Sequence, residues 1–211
     1  DFVKPLAFVK KDHINGRIFN FKTRGFSMST TPKHRLPMIP TYKTKTNLVV
    51  KTAETIGTGS GYKVPRVGEL SGDGLKLTDD MIRLAVAVSA DFSERKYSWY
   101  GNFKKERKVE RIRQLLESVG IKYAEYERDK RGQIGFQIWE KPWYLSKLFD
   151  HTWLSKMTLA QRKVFIDEIA LWDGNFVPNR EQSEYSTVEY SNAVFIQTVA
   201  HTCGMCSTII E

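Results

Sequence analysis

What the chain lacks narrows its class before any motif is read. It has two cysteines in 211 residues, Cys203 and Cys206. They form one Cys-x-x-Cys, which could be redox-active or half of a zinc site. No second Cys/His pair with zinc spacing stands nearby, His201 being the closest candidate, so the expectation is reduced structural thiols in a cytosolic protein. No apolar run approaches the roughly 20 residues of a spanning helix. The opening Asp1-Phe-Val-Lys lacks the basic-then-apolar pattern of a secretory signal. Acidic residues are outnumbered, 24 against 33 Lys and Arg, for a net charge of +9. That balance points to a polyanionic partner, and with no membrane segment the partner is nucleic acid.

Two stretches stand out. Phe165-Ile-Asp-Glu-Ile-Ala-Leu-Trp-Asp-Gly-Asn-Phe176 reads as a helix ending on Asp173, with Gly174 as a left-handed stop. Met81-Ile-Arg-Leu-Ala-Val-Ala-Val-Ser-Ala-Asp-Phe92 reads as another, ending on Asp91. A carboxylate at a helix C-terminus meets partial negative charge, at a cost of roughly 0.3–1 kcal/mol. Something should compensate, and a bound cation is the obvious candidate. Ala85, Ala87, Ala90 and Ala170 would let two such helices pack closely, bringing Asp91 and Asp173 together. Paired carboxylates that share a divalent metal suit phosphodiester hydrolysis.

These two stretches resemble degenerate copies of the LAGLIDADG motif of homing endonucleases. The motif's first glycine is here Val86, its first acid Ser89 and its final glycine Phe92, and Trp172 replaces a small residue of the second copy. The resemblance implies that Asp91 and Asp173 bind Mg²⁺ and are catalytic, one for each DNA strand. Lys141 is the candidate for a basic residue beside them.

The order of elements around the motifs agrees with this. Thr78-Asp-Asp80 supplies an N-cap and an acidic first turn. Arg95–Lys104 reads as a strand or hairpin. Lys105–Gly120 reads as an amphipathic helix with Val109, Ile112, Leu115, Leu116 and Val119 on its apolar stripe. Ile121–Trp139 alternates around a basic turn at Asp129–Gly132 and predicts a hairpin. A short helix is expected from Pro142 to about Asp150. The second copy follows, with Tyr185-Ser-Thr-Val and the segment Ser191–Gly204 echoing the first. Its second hairpin and last helix are missing, so the chain reads as a fragment of a larger or split element.

Upstream, residues 1–50 read as short strands. Thr31-Pro-Lys-His34 resembles the Thr-x-x-His block of the Hint fold of inteins. An intein's leading nucleophile and terminal His-Asn pair are absent, so self-splicing is not expected. Residues 51–77, rich in glycine, read as a connector that could follow a phosphate backbone through Lys51, Lys63 and Arg66.

The expected architecture is therefore α+β. A Hint-like β segment (1–50) and a linker (51–77) precede a LAGLIDADG domain (78–211), with repeat one at 78–155 and a partial repeat two at 156–211. The expected function is site-specific, Mg²⁺-dependent cleavage of double-stranded DNA by an intracellular endonuclease. Arg95, Lys96, Trp99, Lys104, Arg128, Lys130, Arg131 and Gln137 are the candidate DNA contacts. Three alternatives stand beside it: a DNA-binding protein with a decayed site, an RNA-binding maturase-like protein, and part of a protein-splicing module that needs a missing complementary segment.

Overall fold

The computed structural model describes residues 16–23, 26–41, 48–57, 61–127, 129–172, 174–177 and 182–210. The expected strand at Phe2–Val9 lies outside them. The first described strands form two small sheets. Strands β1 (Phe19–Thr23) and β2 (Phe26–Thr30) make an antiparallel hairpin. Strand β3 (Arg35–Pro40) lies between β4 (Val49–Thr52) and β5 (Tyr62–Lys63). Period-two burial on β3 puts Leu36 and Met38 inward, where they pack with Ala53 in a small separate core.

The main core is built by one α-β-β-α-β-β set and the beginning of another. Helix α1 (Asp79–Asp91) starts at Thr78, whose hydroxyl accepts from the Met81 amide at 3.3 Å. Strands β6 (Phe92–Glu94) and β7 (Trp99–Phe103) follow, then α2 (Glu106–Val119), then β8 (Tyr123–Tyr126) and β9 (Ile134–Ile138). Gly120 ends α2 in the left-handed conformation, φ 74°. The four strands form one antiparallel sheet in the order β6-β7-β9-β8. Trp99, Phe103, Phe136 and Ile138 project from one face into the core, where Val109, Ile112, Leu115 and Leu116 of α2 are also buried.

Helix α3 (Trp153–Lys156) is a single turn, and α4 (Leu159–Trp172) packs along α1. Strands β10 (Gly174–Val177) and β11 (Gln182–Tyr185) form a two-stranded sheet, and α5 (Tyr190–His201) follows. The architecture is a mixed α+β fold. None of the described helices is long and apolar enough to cross a membrane.

Three expectations are corrected. Residues 142–150 form turns rather than a helix. Lys147 and Asn192 hold this segment against the end of α1 instead, as described below. Gly174 is not left-handed. Its lack of a side chain matters because a Cβ there would lie 2.6 Å from the Ala170 Cα, on the last turn of α4.

The third correction concerns the connector, whose second half is not a solvated linker. The Gly68 amide donates to His201 O, Leu70 to Thr202 O, Gly72 to Met157 O and Gly74 to Lys156 O, all at 2.7–3.0 Å. Gln161 binds the backbone of Leu75 in both directions, and the Leu75 and Leu77 side chains enter the core. This strap ties α3, α4 and α5 together. Glycine composition looked like flexibility, but Gly72 is there for close approach: a Cβ would lie 2.5 Å from the carbonyl oxygens of Ser155 and Lys156.

Candidate functional site: paired helix ends and the outer sheet face

Asp91 is the last residue of α1, and its carboxylate is about a quarter exposed. A cation of the protein itself meets it, where a bound cation was the expected candidate. Lys108, in the first turn of α2, places its ammonium 2.5 Å from Asp91 Oδ2. The same ammonium lies 5.6 Å from the centre of the Trp172 ring at the end of α4. Next to it, Arg107 donates to the Leu171 carbonyl at 2.5 Å. A helix N-terminus repels cations as a C-terminus repels anions. Arg107 and Lys108 sit at an unfavourable end of α2, and they settle both mismatches by docking on the C-terminal ends of α4 and α1.

A second lysine closes the same end. Lys147 donates to the Ser89 and Phe92 carbonyls, the latter at 2.9 Å, and approaches Ala90 O at 3.4 Å. Ser89 and Ala90 are in the last turn of α1, whose carbonyls lack helical partners, and Phe92 is the residue that caps it. Ser89 is buried, and its hydroxyl donates to Lys147 O at 3.0 Å. Asn192 of α5, also buried, donates to the same carbonyl at 2.8 Å and accepts from the Phe149 amide at 3.0 Å. A cleft opens beside this end, lined by Ser89, Lys147, Thr187, Glu189 and Asn192 among others.

Behind the end lies a buried charge network. Glu168 of α4 is 2 % exposed. It accepts from Arg111 through both carboxylate oxygens and from the Trp172 indole at 2.8 Å, with Arg83 at 3.8 Å. The bond to Glu168 raises the Arg111 pKa further above its ordinary range. Arg83 also pairs with Asp80 at 2.7 Å. The Ser118 hydroxyl first, and then Arg83, hold the Asp80 carboxyl below its ordinary value of 3.8. Arg162 is fully buried and binds Thr202 Oγ1 at 2.8 Å and the Leu154 carbonyl. Burial lowers its pKa.

The second expected acid, Asp173, lies outside the described residues, between Trp172 and Gly174. Lys141 is not at Asp91. It pairs with Glu94 at 2.7 Å and covers the Trp99 ring at 5.4 Å. Lys108 stands where Lys141 was expected. Among the described residues no group of three or more His, Cys, Asp or Glu side chains is placed to hold a metal ion. The carboxylate that the resemblance assigns to Mg²⁺ already carries an ammonium.

The outer face of the four-stranded sheet carries the other candidates. Register places Ser93, Tyr100, Gln137 and Ala124 in one row across the strands, and Asn102, Gly135 and Tyr126 in the next. The Tyr126 hydroxyl donates to Gln137 at 2.8 Å, and Gln137 donates to Ser98 Oγ at 3.3 Å. Arg95 stacks on Tyr100, 3.8 Å from the ring centre. Lys96 is exposed beside Tyr97. Lys104 is exposed after β7, and Lys130 and Arg131 are exposed on the β8–β9 turn. Phe103 pairs with Ile134, so Lys104 lies at the same end of the sheet as that turn. Arg128 is outside the described residues.

Trp99 is a correction. It is 1 % exposed and faces the core, because alternation along β7 sends Tyr100 and Asn102 outward instead. Thr31 and His34 are exposed and form a backbone turn, with the His34 amide on Thr31 O at 3.1 Å. The missed residues are Lys108, Lys147, Asn192, Tyr100 and Asn102. For Lys108 a usable sign existed in the sequence: a cation in a helix's first turn needs a partner elsewhere. Lys147 and Asn192 gave no local sign. Cys203 is buried and Cys206 exposed, both as free thiols. Burial pushes the Cys203 thiol up.

No family model matches the chain, and no curated protein matches it. Among solved structures it is similar to the N-terminal LAGLIDADG domain of DUF199/WhiA. The identity there is 11 %, over 64 % of this chain and 71 % of that chain, with a TM-score of 0.47. It is also similar to full-length DUF199/WhiA from Thermatoga maritima. That identity is 13 %, over 65 % of this chain and 49 % of that chain, with a TM-score of 0.48. The match thus spans about half of the full-length protein.

Proposed function

We propose that this chain is a LAGLIDADG-type protein that binds double-stranded DNA through the outer face of its four-stranded sheet and does not cut it. The observation that carries this reading is the layout of that face. Its centre is uncharged and rich in hydrogen-bonding groups: Ser93, Tyr100, Asn102, Tyr126 and Gln137. Basic side chains flank it at both ends among a few acids, with Arg95 stacked on Tyr100, Lys96, and Lys141 paired with Glu94 at one end, and Lys104, Lys130 and Arg131 beside Glu127 and Asp129 at the other. Five-residue strands span about 17 Å at ~3.4 Å per residue. The basic ends can therefore reach phosphates on both sides of a major groove about 12 Å wide, leaving amide and hydroxyl groups over the base edges. The net charge of +9 supplies long-range attraction.

The absence of cutting is supported by the Asp91–Lys108 pair, which neutralises the carboxylate that ends α1 with an ammonium of the protein itself. Selection of bound duplexes from a random pool tests the reading. Enrichment of a defined sequence by the wild type is expected. Asn102→Ala and Gln137→Ala should relax one or two base positions, each by about 1–3 kcal/mol of discrimination. Lys130→Ala should weaken all sequences alike. No enrichment, or preferential capture of structured RNA over duplex DNA, would overturn the reading.

A further inference from the structure

We propose that Lys108 and Lys147 are the resident cations of the paired-helix end, standing in the place of a divalent metal ion. The inference rests on the proposed function only for what this end does beneath DNA; the cation site itself is argued from side chains alone.

The C-terminal end of α1 collects every feature of a hard-cation site. It has the negative pole of the helix, a carboxylate on Asp91, and the carbonyls of Ser89, Ala90 and Phe92 turned to one side. Each of these oxygens is already met by an ammonium. Lys108 takes the carboxylate at 2.5 Å, and Lys147 takes the carbonyls. Neither lysine arrives by chance of a flexible chain. Lys108 is 13 % exposed, and α2 is anchored alongside it by the Arg107 bond to Leu171 O. Lys147 has its own backbone fixed by Ser89 and Asn192, and both of those side chains are buried. A dication brought to Asp91 would have to displace Lys108 and sit beside Lys147, with both charges opposing it.

Two consequences follow. The wild type should ignore divalent ions at this end, and removing the Lys108 charge while keeping its length should let one bind. The test is a Mn²⁺ titration followed by electron paramagnetic resonance, without DNA, on the wild type, Asp91→Asn, Lys108→Met and Lys108→Met/Asp91→Asn. Folding of each protein is checked by circular dichroism and thermal melting.

The expected result is that the wild type binds no more Mn²⁺ than Asp91→Asn. Lys108→Met should gain one site with a dissociation constant below roughly 1 mM, in the range of weak carboxylate sites, and the double variant should lose it. A wild type that binds Mn²⁺ in an Asp91-dependent way would overturn the proposal. So would a folded Lys108→Met that gains no site. Should Lys108→Met fail to fold, the comparison of wild type with Asp91→Asn still decides. A failure of DNA binding would not touch this titration, so the two proposals fail separately.

Discussion

Glu168 shows what one residue holds in place. Its carboxylate is buried among Arg111, Arg83 and Trp172, so removing it takes away the partner of Arg111 on α2 and of the Trp172 indole, while Arg83 keeps Asp80. Breaking a buried pair from one side costs about 3–5 kcal/mol. Glu168→Ala is expected to fall in that range by urea unfolding. Glu94→Ala, which breaks the exposed pair with Lys141, should cost under about 1 kcal/mol. Equal losses would show that the network contributes no more than a surface pair. Asp80 adds a pH dependence. Its folded pKa lies below the unfolded value near 3.8, so its share of stability is full above that value and is lost as pH falls through the folded pKa. Stability measured from pH 5 downward should decline less steeply in Asp80→Asn than in the wild type. At this scale the sequence was legible where a residue's place on an element broke an electrostatic rule. Asp91 at a helix end demanded a cation, but residue order alone could not say which cation would arrive. Trp99 was misread for a different reason: alternating aromatic and basic residues do not reveal which face of a strand is buried.

The elements of the first set were readable because each carries its own punctuation. Thr78 opens α1, Gly120 closes α2, and Asp129–Gly132 turns the β8–β9 hairpin. The strap at residues 67–77 was not readable, since its hydrogen bonds go to α3, α4 and α5, more than 80 residues away. Its glycines now separate by role. Gly72→Ala should force the strap off the Ser155 and Lys156 carbonyls, costing about 1–3 kcal/mol as overpacking does. Gly68→Ala meets nothing within 4 Å and should shift stability by less than about 1 kcal/mol. Thermal melting of the two variants checks this, and similar losses in both would mean the strap's close approach is not what constrains Gly72. The 142–150 segment was expected as a short helix. Its conformation is set instead by Lys147 reaching back to α1 and by Asn192 from α5, which are tertiary contacts without a local pattern.

Across the whole molecule, the paired helices α1 and α4 and the strand order of the first set were visible as a pattern of elements, and so was the basic charge that points to nucleic acid. The chemistry at the helix ends was not visible, because it depends on where α2 places Arg107 and Lys108 against α1 and α4. We infer a protein that binds duplex DNA with its sheet and keeps its helix ends occupied by its own lysines. The most direct test is fluorescence anisotropy on a labelled duplex selected as the bound sequence, across a salt series, in Mg²⁺ and in EDTA, with the recovered DNA run on a denaturing gel. Equal affinity in both conditions at matched ionic strength is expected, with intact strands and a log–log salt slope of roughly −3 to −5 for several phosphate contacts. Mg²⁺-dependent strand breaks that disappear in Asp91→Asn would contradict it.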